Sequence, residues 1–424
     1  MSRPFGTLAR RHGARRLGIG LLLLATTALV SVPKAEAAGE LLDLFTLSGL
    51  SVDEVVGLSR DGSMAAVNGR SGLNRSVAYH WDGERYLDIG GLDRNVNTIA
   101  LGISGDGTAV VGISLDPYVR TRAFRWTEAE GMRDLGTLRT DNGGSSWGYD
   151  ASNDGAIVVG QSHSWLNQTL AFAWIEGATG GQSVDGQMFA LMPLDGHVTS
   201  GAHAVSADGR YATGYSGEFS NLPDVAMRWD IGGLAQGDLP VGISLGDLGG
   251  GFSIANDISD DGTVVVGRAS LPDDEEVPGA LHAFRWVEGS TGGVAGNEQM
   301  HDLGVLEGHL ESGAVAVSGD GNVVVGQSID SDGRDVAFRW DEAGGMVSVE
   351  DWLADNGVTV GSMRLARAQA VNGNGFVVAG AMEDEDGNER AYIARVTPPD
   401  PGPGPDPGPG PGPGPGPGPG PDPE

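Results

Sequence analysis

Seven times along these 424 residues the chain returns to one segment, whose clearest copies are Ser259-Asp260-Asp261-Gly262-Thr263-Val264-Val265-Val266-Gly267 and Ser318-Gly319-Asp320-Gly321-Asn322-Val323-Val324-Val325-Gly326. After each copy comes a variable stretch, then Ala-Phe-Arg-Trp or a variant (Ala283 to Trp286, Ala337 to Trp340), then often Met-x-Asp-Leu-Gly. A unit of roughly 45–60 residues with four short apolar runs cannot bury a core by itself. It must pack on copies of itself, and four strands per unit is the pattern of blade repeats.

Each run reads as a strand. The first is short and rich in small residues (Ala100 to Ser104, Ala202 to Ser206, Ala314 to Ser318). It ends at an Asp-Gly pair, a hairpin signal, since Gly accepts positive φ and Asp bonds its own backbone. The pairs are Asp61-Gly62, Asp106-Gly107, Asp154-Gly155, Asp208-Gly209, Asp261-Gly262 and Asp320-Gly321, with Asn374-Gly375 in the seventh copy. The second strand is the Val-rich run (Ala109 to Gly112, Ile157 to Gly160, Val264 to Gly267, Val377 to Gly380), continuous enough to be buried on both faces. The third is the Ala-Phe-Arg-Trp run, where alternation puts the two aromatics on one side and Ala and Arg on the other. The fourth is expected at Asp-Leu-Gly-x-Leu (Asp88 to Leu92, Asp134 to Leu138, Asp302 to Leu306), with weaker copies near Leu191 to Leu194, Leu245 to Leu248 and Val349 to Leu353.

The seventh period runs out at Val396 without a fourth strand, while a spare one, Leu42 to Leu47, opens the chain and resembles Asp134 to Leu138. If that first strand completes the last blade, the ring closes and no sheet edge is left open. The expectation is an all-β, seven-bladed β-propeller of four-stranded blades closed in this way; an open solenoid is the alternative.

Residues 1–38 read as a secretory signal peptide: Arg3, Arg10, Arg11, Arg15 and Arg16 precede an apolar run from Leu17 to Val30, and Ala35-Glu36-Ala37 supplies small-x-small cleavage chemistry. A membrane anchor fits less well, because the apolar run is short for a span. The propeller is assigned to 39–397. From 398 to 424 the chain is a Pro-Gly-Asp repeat that cannot bury a core and is expected to be an extended spacer, with a downstream domain or the cell envelope beyond it. There is no cysteine, and Lys34, the only lysine, belongs to the leader. Setting aside six basic leader residues and Glu36 moves the formal charge from −31 to about −36. Nucleic acid and anionic lipid would be repelled by such a surface.

The combination of Asp-Gly turn, Val-Val-Gly, Ala-Phe-x-Trp and Asp-Leu-Gly over residues 50–396 resembles the extracellular HAF-repeat family, named for the tripeptide present here as His282-Ala283-Phe284. The resemblance implies an exported bacterial protein, similar in places to autotransporter passengers, in which a Pro-rich spacer would precede a translocator barrel. It supplies no catalytic motif to carry over.

The repeated Asp-Gly residues and the repeated tryptophans (Trp81, Trp126, Trp174, Trp229, Trp286, Trp340) are accounted for by turn chemistry and by packing between blades. Function is sought in what is not repeated. Loops from strand two to three and from strand four to the next blade share one face, and on blades 2 to 4 they carry Tyr118, Arg120, Trp147, Tyr149, His163, Trp165 and Phe219. Aromatic faces beside polar groups suit sugar or peptide surfaces, so these are the candidate ligand-binding residues. On blades 5 to 7 the same loops are acidic: Asp273 to Glu276, then Asp330, Asp332 and Asp335, then Glu383 to Asp386. Asp330, Asp332 and Asp335 alternate around a glycine as calcium ligands can, without the closing bidentate glutamate of an EF-hand; solvated charge is the simpler reading and no other cofactor is expected. The histidines show no metal-ligand spacing, and no nucleophile elbow or phosphate loop is present. The reading that follows is an exported, monomeric binding or adhesion propeller engaging extracellular glycans or protein partners, with a secreted polysaccharide hydrolase or lyase as the alternative.

Overall fold

The computed structural model describes residues 39–45, 51–71, 75–94, 96–166, 168–219, 222–272 and 279–398. The leader, the Pro-Gly-Asp tail beyond 398 and the acidic run 273–276 lie outside the described residues. Within them the chain forms seven four-stranded antiparallel sheets, six of which follow chain order, and together they make a seven-bladed β-propeller. The seventh sheet takes its outermost strand from the beginning of the described chain. Gly39–Asp43 pairs antiparallel with Glu389–Val396, from Gly39 opposite Val396 to Asp43 opposite Tyr392. The ring is closed.

The closing strand is Gly39–Asp43 and not the expected Leu42 to Leu47; residues 46 and 47 lie outside the described residues. The reason applies to the fourth strands generally. After Asp43 the chain turns, the Phe45 amide donating to Asp43 Oδ1 at 3.0 Å, and Leu44 drops into the core. At Asp88, Asp134 and Asp302 the amides of Gly90, Gly136 and Gly304 donate to the carboxylate at 2.9, 2.8 and 2.8 Å, with each glycine at positive φ. Asp-Leu-Gly is therefore a strand terminator. The strands are Tyr86–Asp88, Gly131–Asp134 and Met300–Asp302, and Ile89, Leu135 and Leu303 plug the core beyond them. Val349 to Leu353, expected as a strand, lies in the helix Val349–Asp355. Ser348 caps that helix by accepting from the Asp351 amide, and Glu350 and Asp351 favour its positive N-terminal end.

The repeat residues divide the work of joining blades. Ser59 of the first Asp-Gly turn donates to Asp61 at 2.6 Å while accepting from the Met64 amide, and the same pair recurs in the next five copies. With the Ser63 amide, this hydroxyl holds Asp61 below the usual carboxylate range. The third-strand arginine reaches the following blade. Arg125, Arg228 and Arg285 donate to the carbonyls of Gly155, Gly262 and Gly321 at 2.7, 2.6 and 3.0 Å, and Arg395 carries the bond from the last blade to Gly62 of the first at 3.2 Å. Arg228 and Arg285 also stack on Trp286 and Trp340 of that following blade. Blade 1 has His80 at this position, bonded to the Gly107 carbonyl of the next blade at 2.8 Å, blade 3 has Ala173, and Arg339 of blade 6 pairs with Asp341 of its own blade.

Around the axis a circle of backbone hydrogen bonds links the turns. Arg60 donates to Gly105, Asp106 to Asn153, Asn153 to Ala207, Ala207 to Asp260, Asp260 to Gly319, Asp320 to Gly373, and Gly373 back to Arg60. Buried apolar clusters fill the spaces between sheets: one joins Val111, Ala123 and Leu135 of blade 2 to Val158, Phe172 and Trp174 of blade 3. Each blade's stability thus depends on its neighbours, as expected of stacked repeats.

Candidate functional site

Two features interrupt the repetition, a crest of loops over blades 2 and 3 and the polar wall of the axial channel. The crest is built on a five-residue hairpin. Asp116 accepts from the amides of Tyr118 and Arg120 through Oδ1, and the Val119 amide donates to its carbonyl. Asp330 and Asp384 organise the corresponding hairpins in blades 6 and 7 in the same way. The fourth position of this turn is left-handed. Gly333 and Gly387 hold it at φ of 78° and 79°, whereas in blade 2 it is Val119, at 62°. A β-branched residue there costs roughly 1–2 kcal/mol. The strained tip holds its apolar side chains out in water: Tyr118 is 78% and Val119 76% exposed. The matching tip of blade 3 presents Trp165 and Leu166, 57% and 77% exposed.

The connector between blades 2 and 3 ties the tips together. Arg120 pairs with Asp116 at 2.7 Å, donates to the Asn142 carbonyl at 3.2 Å and lies over the Tyr118 ring. Arg139 lies over Trp165 at 4.9 Å, and the indole N–H donates to Thr140 at 3.2 Å. Behind them Trp147 meets His163 edge to face at 5.6 Å, and His163 Nδ1 accepts from the Ser145 amide. Tyr118, Arg120, Trp147, His163 and Trp165 are therefore brought into one region. Tyr149 is placed apart from them, in the channel, and the Phe219 side chain lies outside the described residues.

Asp330 spends its carboxylate on two turn amides, Arg334 pairs with Asp332 at 3.1 Å, and Asp335 lies 4.0 Å from Arg367. Among the described residues no group of three or more acidic or histidine side chains is disposed to hold a metal ion.

The channel arises from a bulge at the same place in all seven inner strands. Each bulge re-aims one side chain. On blades 1, 2 and 6 it belongs to Val56, Leu101 and Val315; on blades 3, 4, 5 and 7 it belongs to Tyr149, His203, Asn256 and Gln369, and all seven line a cavity of about 510 Å3. The Arg60–Asp260 ion pair crosses from blade 1 to blade 5 at the Asp-Gly end of this cavity.

Blades 3 to 5 form the polar wall. Tyr149 packs edge-on to His203 with centroids 5.4 Å apart, and His203 meets Tyr215 at 5.5 Å. Tyr215 occupies space that a side chain at Gly201 would fill, since a Cβ there would lie 2.4 Å from the ring. Its hydroxyl donates to Gln161 Oε1 at 3.1 Å, with the Tyr149 hydroxyl facing the same amide. His203 Nδ1 bonds the Ala255 carbonyl at 2.8 Å and so carries the proton, while burial holds the imidazole below its ordinary pKa. Burial raises both tyrosines.

Next to the bulges, where other blades have Gly or Ala, stand Asp150 and Asp257. Each accepts a backbone amide from the following blade, Val205 at 2.9 Å and Val317 at 2.8 Å. Each keeps an edge on the channel but is otherwise enclosed by protein. Burial pushes Asp150 up to about 7, and burial together with the Asp150 charge pushes Asp257 up to about 8.

Sequence reasoning missed Asp150, His203, Asp257 and Arg268. A signal existed: the bulge residue always stands three positions before the Ser or Asn that opens the turn, and that column varies between apolar and polar while the columns beside it hold small or apolar residues except at Asp150 and Asp257.

No family model matches this sequence, and no curated protein does. Among solved structures, a puromycin-hydrolyzing peptidase from Mycobacterium tuberculosis aligns over 82% of this chain and 51% of its own, at 15% identity and a TM-score of 0.54. This chain thus spans about half the length of that one. The β-propeller domain of the trilobed protease from Pyrococcus furiosus aligns over 81% of this chain and 95% of its own (8% identity, TM-score 0.48). A putative TolB from Agrobacterium tumefaciens aligns over 84% and 96% (13% identity, TM-score 0.40). At these identities the likeness is one of fold.

Proposed function

We propose that this protein is an exported binding propeller of the HAF-repeat kind, which engages extracellular glycan through the crest of blades 2 and 3. One observation carries the reading. Two adjacent hairpin tips hold Tyr118-Val119 and Trp165-Leu166 in water, one of them at the cost of a left-handed valine. Arg139 and Thr140 fix the Trp165 ring while more than half of its surface stays open. A rigid exposed ring can stack on the apolar face of a sugar with little further loss of rotamer freedom. Export rests on the leader pattern of residues 1–38; among the described residues no helix is long and apolar enough to cross a membrane.

A glycan array on the purified protein tests the reading. Binding that Trp165→Ala abolishes, with the melting temperature unchanged, supports it; an empty array, or binding indifferent to Trp165 and Tyr118, refutes it. A hydrolase or lyase reading is favoured by Asp150 and Asp257, two channel carboxyls that titrate near neutrality, as general acids and bases do. Release of reducing ends from a bound polysaccharide, lost in Asp257→Asn, would select that reading instead.

A further inference from the structure

The axial channel presents an unbalanced set of groups, independent of the crest. Arg268, on the second strand of blade 5, borders the cavity with its stem against Gly313, where a Cβ would meet Arg268 Cδ at 3.7 Å. In a chain where acids outnumber arginines about two to one, its guanidinium has no ion pair, hydrogen bond or ring partner among the described residues. The neighbouring bulge side chains are unbalanced in the opposite sense. His203 spends Nδ1–H on the Ala255 carbonyl, which leaves Nε2 as a bare acceptor. Asn256 commits its amide nitrogen to the Ala314 carbonyl at 2.7 Å, which leaves its Oδ1.

A wall with one unpaired cation and two free acceptors, His203 Nε2 and Asn256 Oδ1, is complementary to a molecule with one negative charge and O–H donors. Asp150 and Asp257 border the same cavity and disfavour a second negative charge there. The Arg60–Asp260 pair stands at the turn end of the cavity, so entry is from the loop face. Aromatic surfaces of Tyr149 and His203 line the cavity, with the buried Tyr215 ring packed behind His203. We propose that the channel is a binding site for a small polyhydroxylated monocarboxylate, of the sugar-acid class, with Arg268 holding the carboxylate and the two free acceptors taking its hydroxyls.

Isothermal titration of the purified protein with D-glucuronate, D-glucose and acetate tests this. Glucuronate should bind, and glucose, which lacks the charge, and acetate, which lacks the hydroxyls, should each bind at least about tenfold more weakly. Arg268→Gln should weaken glucuronate by about tenfold or more, as expected for one charge-assisted contact, with glucose little changed; Arg268 is exposed, so this variant should fold, and its melt checks that. Trp165→Ala should leave glucuronate binding intact, which separates this site from the crest. Absence of glucuronate binding by the wild type, equal binding by Arg268→Gln, acetate binding as tightly as glucuronate, or loss of binding in Trp165→Ala would each overturn the proposal. None of these results except the last bears on the crest.

Discussion

Replacing Asp150 by asparagine should stabilise this protein, and only on the alkaline side. Asn keeps an oxygen to accept the Val205 amide but cannot ionise. The wild-type carboxyl titrates at about 7 in the fold, against 3.8 ordinarily. Its folded pKa is raised, so its contribution is fully present below 3.8 and drains away as pH rises towards 7, because the unfolded chain ionises first. At about 1.4 kcal/mol per pH unit the full loss would be about 4 kcal/mol. The carboxyl keeps an edge on channel water, which screens it, so about 1–2 kcal/mol is the expected size. His203, whose pKa is lowered, acts with the opposite sign: its contribution is lost as pH falls through its unfolded value. Wild type and variant share that term, and it cancels in their difference.

Urea unfolding followed by tryptophan fluorescence at pH 5 and pH 8.5 measures the effect. The stability gap between Asp150→Asn and wild type should widen by about 1–2 kcal/mol between those two conditions. Parallel curves, or a variant weaker at both pH values, would show that the channel does not strain the carboxyl and that Asp150 is only an amide cap. Asp257, raised further, should show the larger widening on the same substitution.

Other expectations follow from the same geometry. Val119→Gly should raise stability by about 0.5–1 kcal/mol through relief of the left-handed valine, read as a higher urea midpoint, and should loosen crest binding. Arg228→Ala removes the bond to Gly262, the pair with Glu288 and the stack on Trp286; a loss of about 3 kcal/mol in the same unfolding assay is expected, against almost none for the exposed Arg94. Chelator or added calcium should leave the thermal melt unchanged, because turn amides and Arg334 already engage Asp330 and Asp332; a shifted melt would restore a calcium site there.

Blade number, strand order and closure were legible because they depend on local chemistry repeated seven times. Asp-Gly makes the same hairpin wherever it stands, and the Val-Val-Gly run is apolar on both faces in all copies except blades 1 and 4, where Asn68 and Thr213 interrupt it. The termination of strands at Asp-Leu-Gly was missed since period-2 alternation and an Asp-anchored turn look alike over five residues. Only a partner strand distinguishes them, its last backbone bond coming from the residue just after the Asp (Ile89 to Ala78, Leu135 to Ala123, Leu303 to Ala283). Only part of the crest was legible: Tyr118 and Trp165 stand in loops as expected, but Trp147 and Tyr149 lie in the strand Ser146–Ala151 and His163 ends the strand Ile157–His163, and the strain at Val119 shows only against Gly333 and Gly387 in the same turn.

The column that forms the channel wall is readable in the sequence as a position, but that it faces a channel was decided by tertiary structure. A bulge depends on the register between two strands and re-aims one side chain without changing its neighbours' residue type. Tyr149, His203, Asn256 and Gln369 therefore stand about 50 to 110 residues apart in the chain, yet around one axis in the fold. Blade-forming chemistry is short-ranged and written into each repeat. The convergence of the seven bulge side chains on one cavity exists only once Gly39–Asp43 has paired with Glu389–Val396 and the circle is complete.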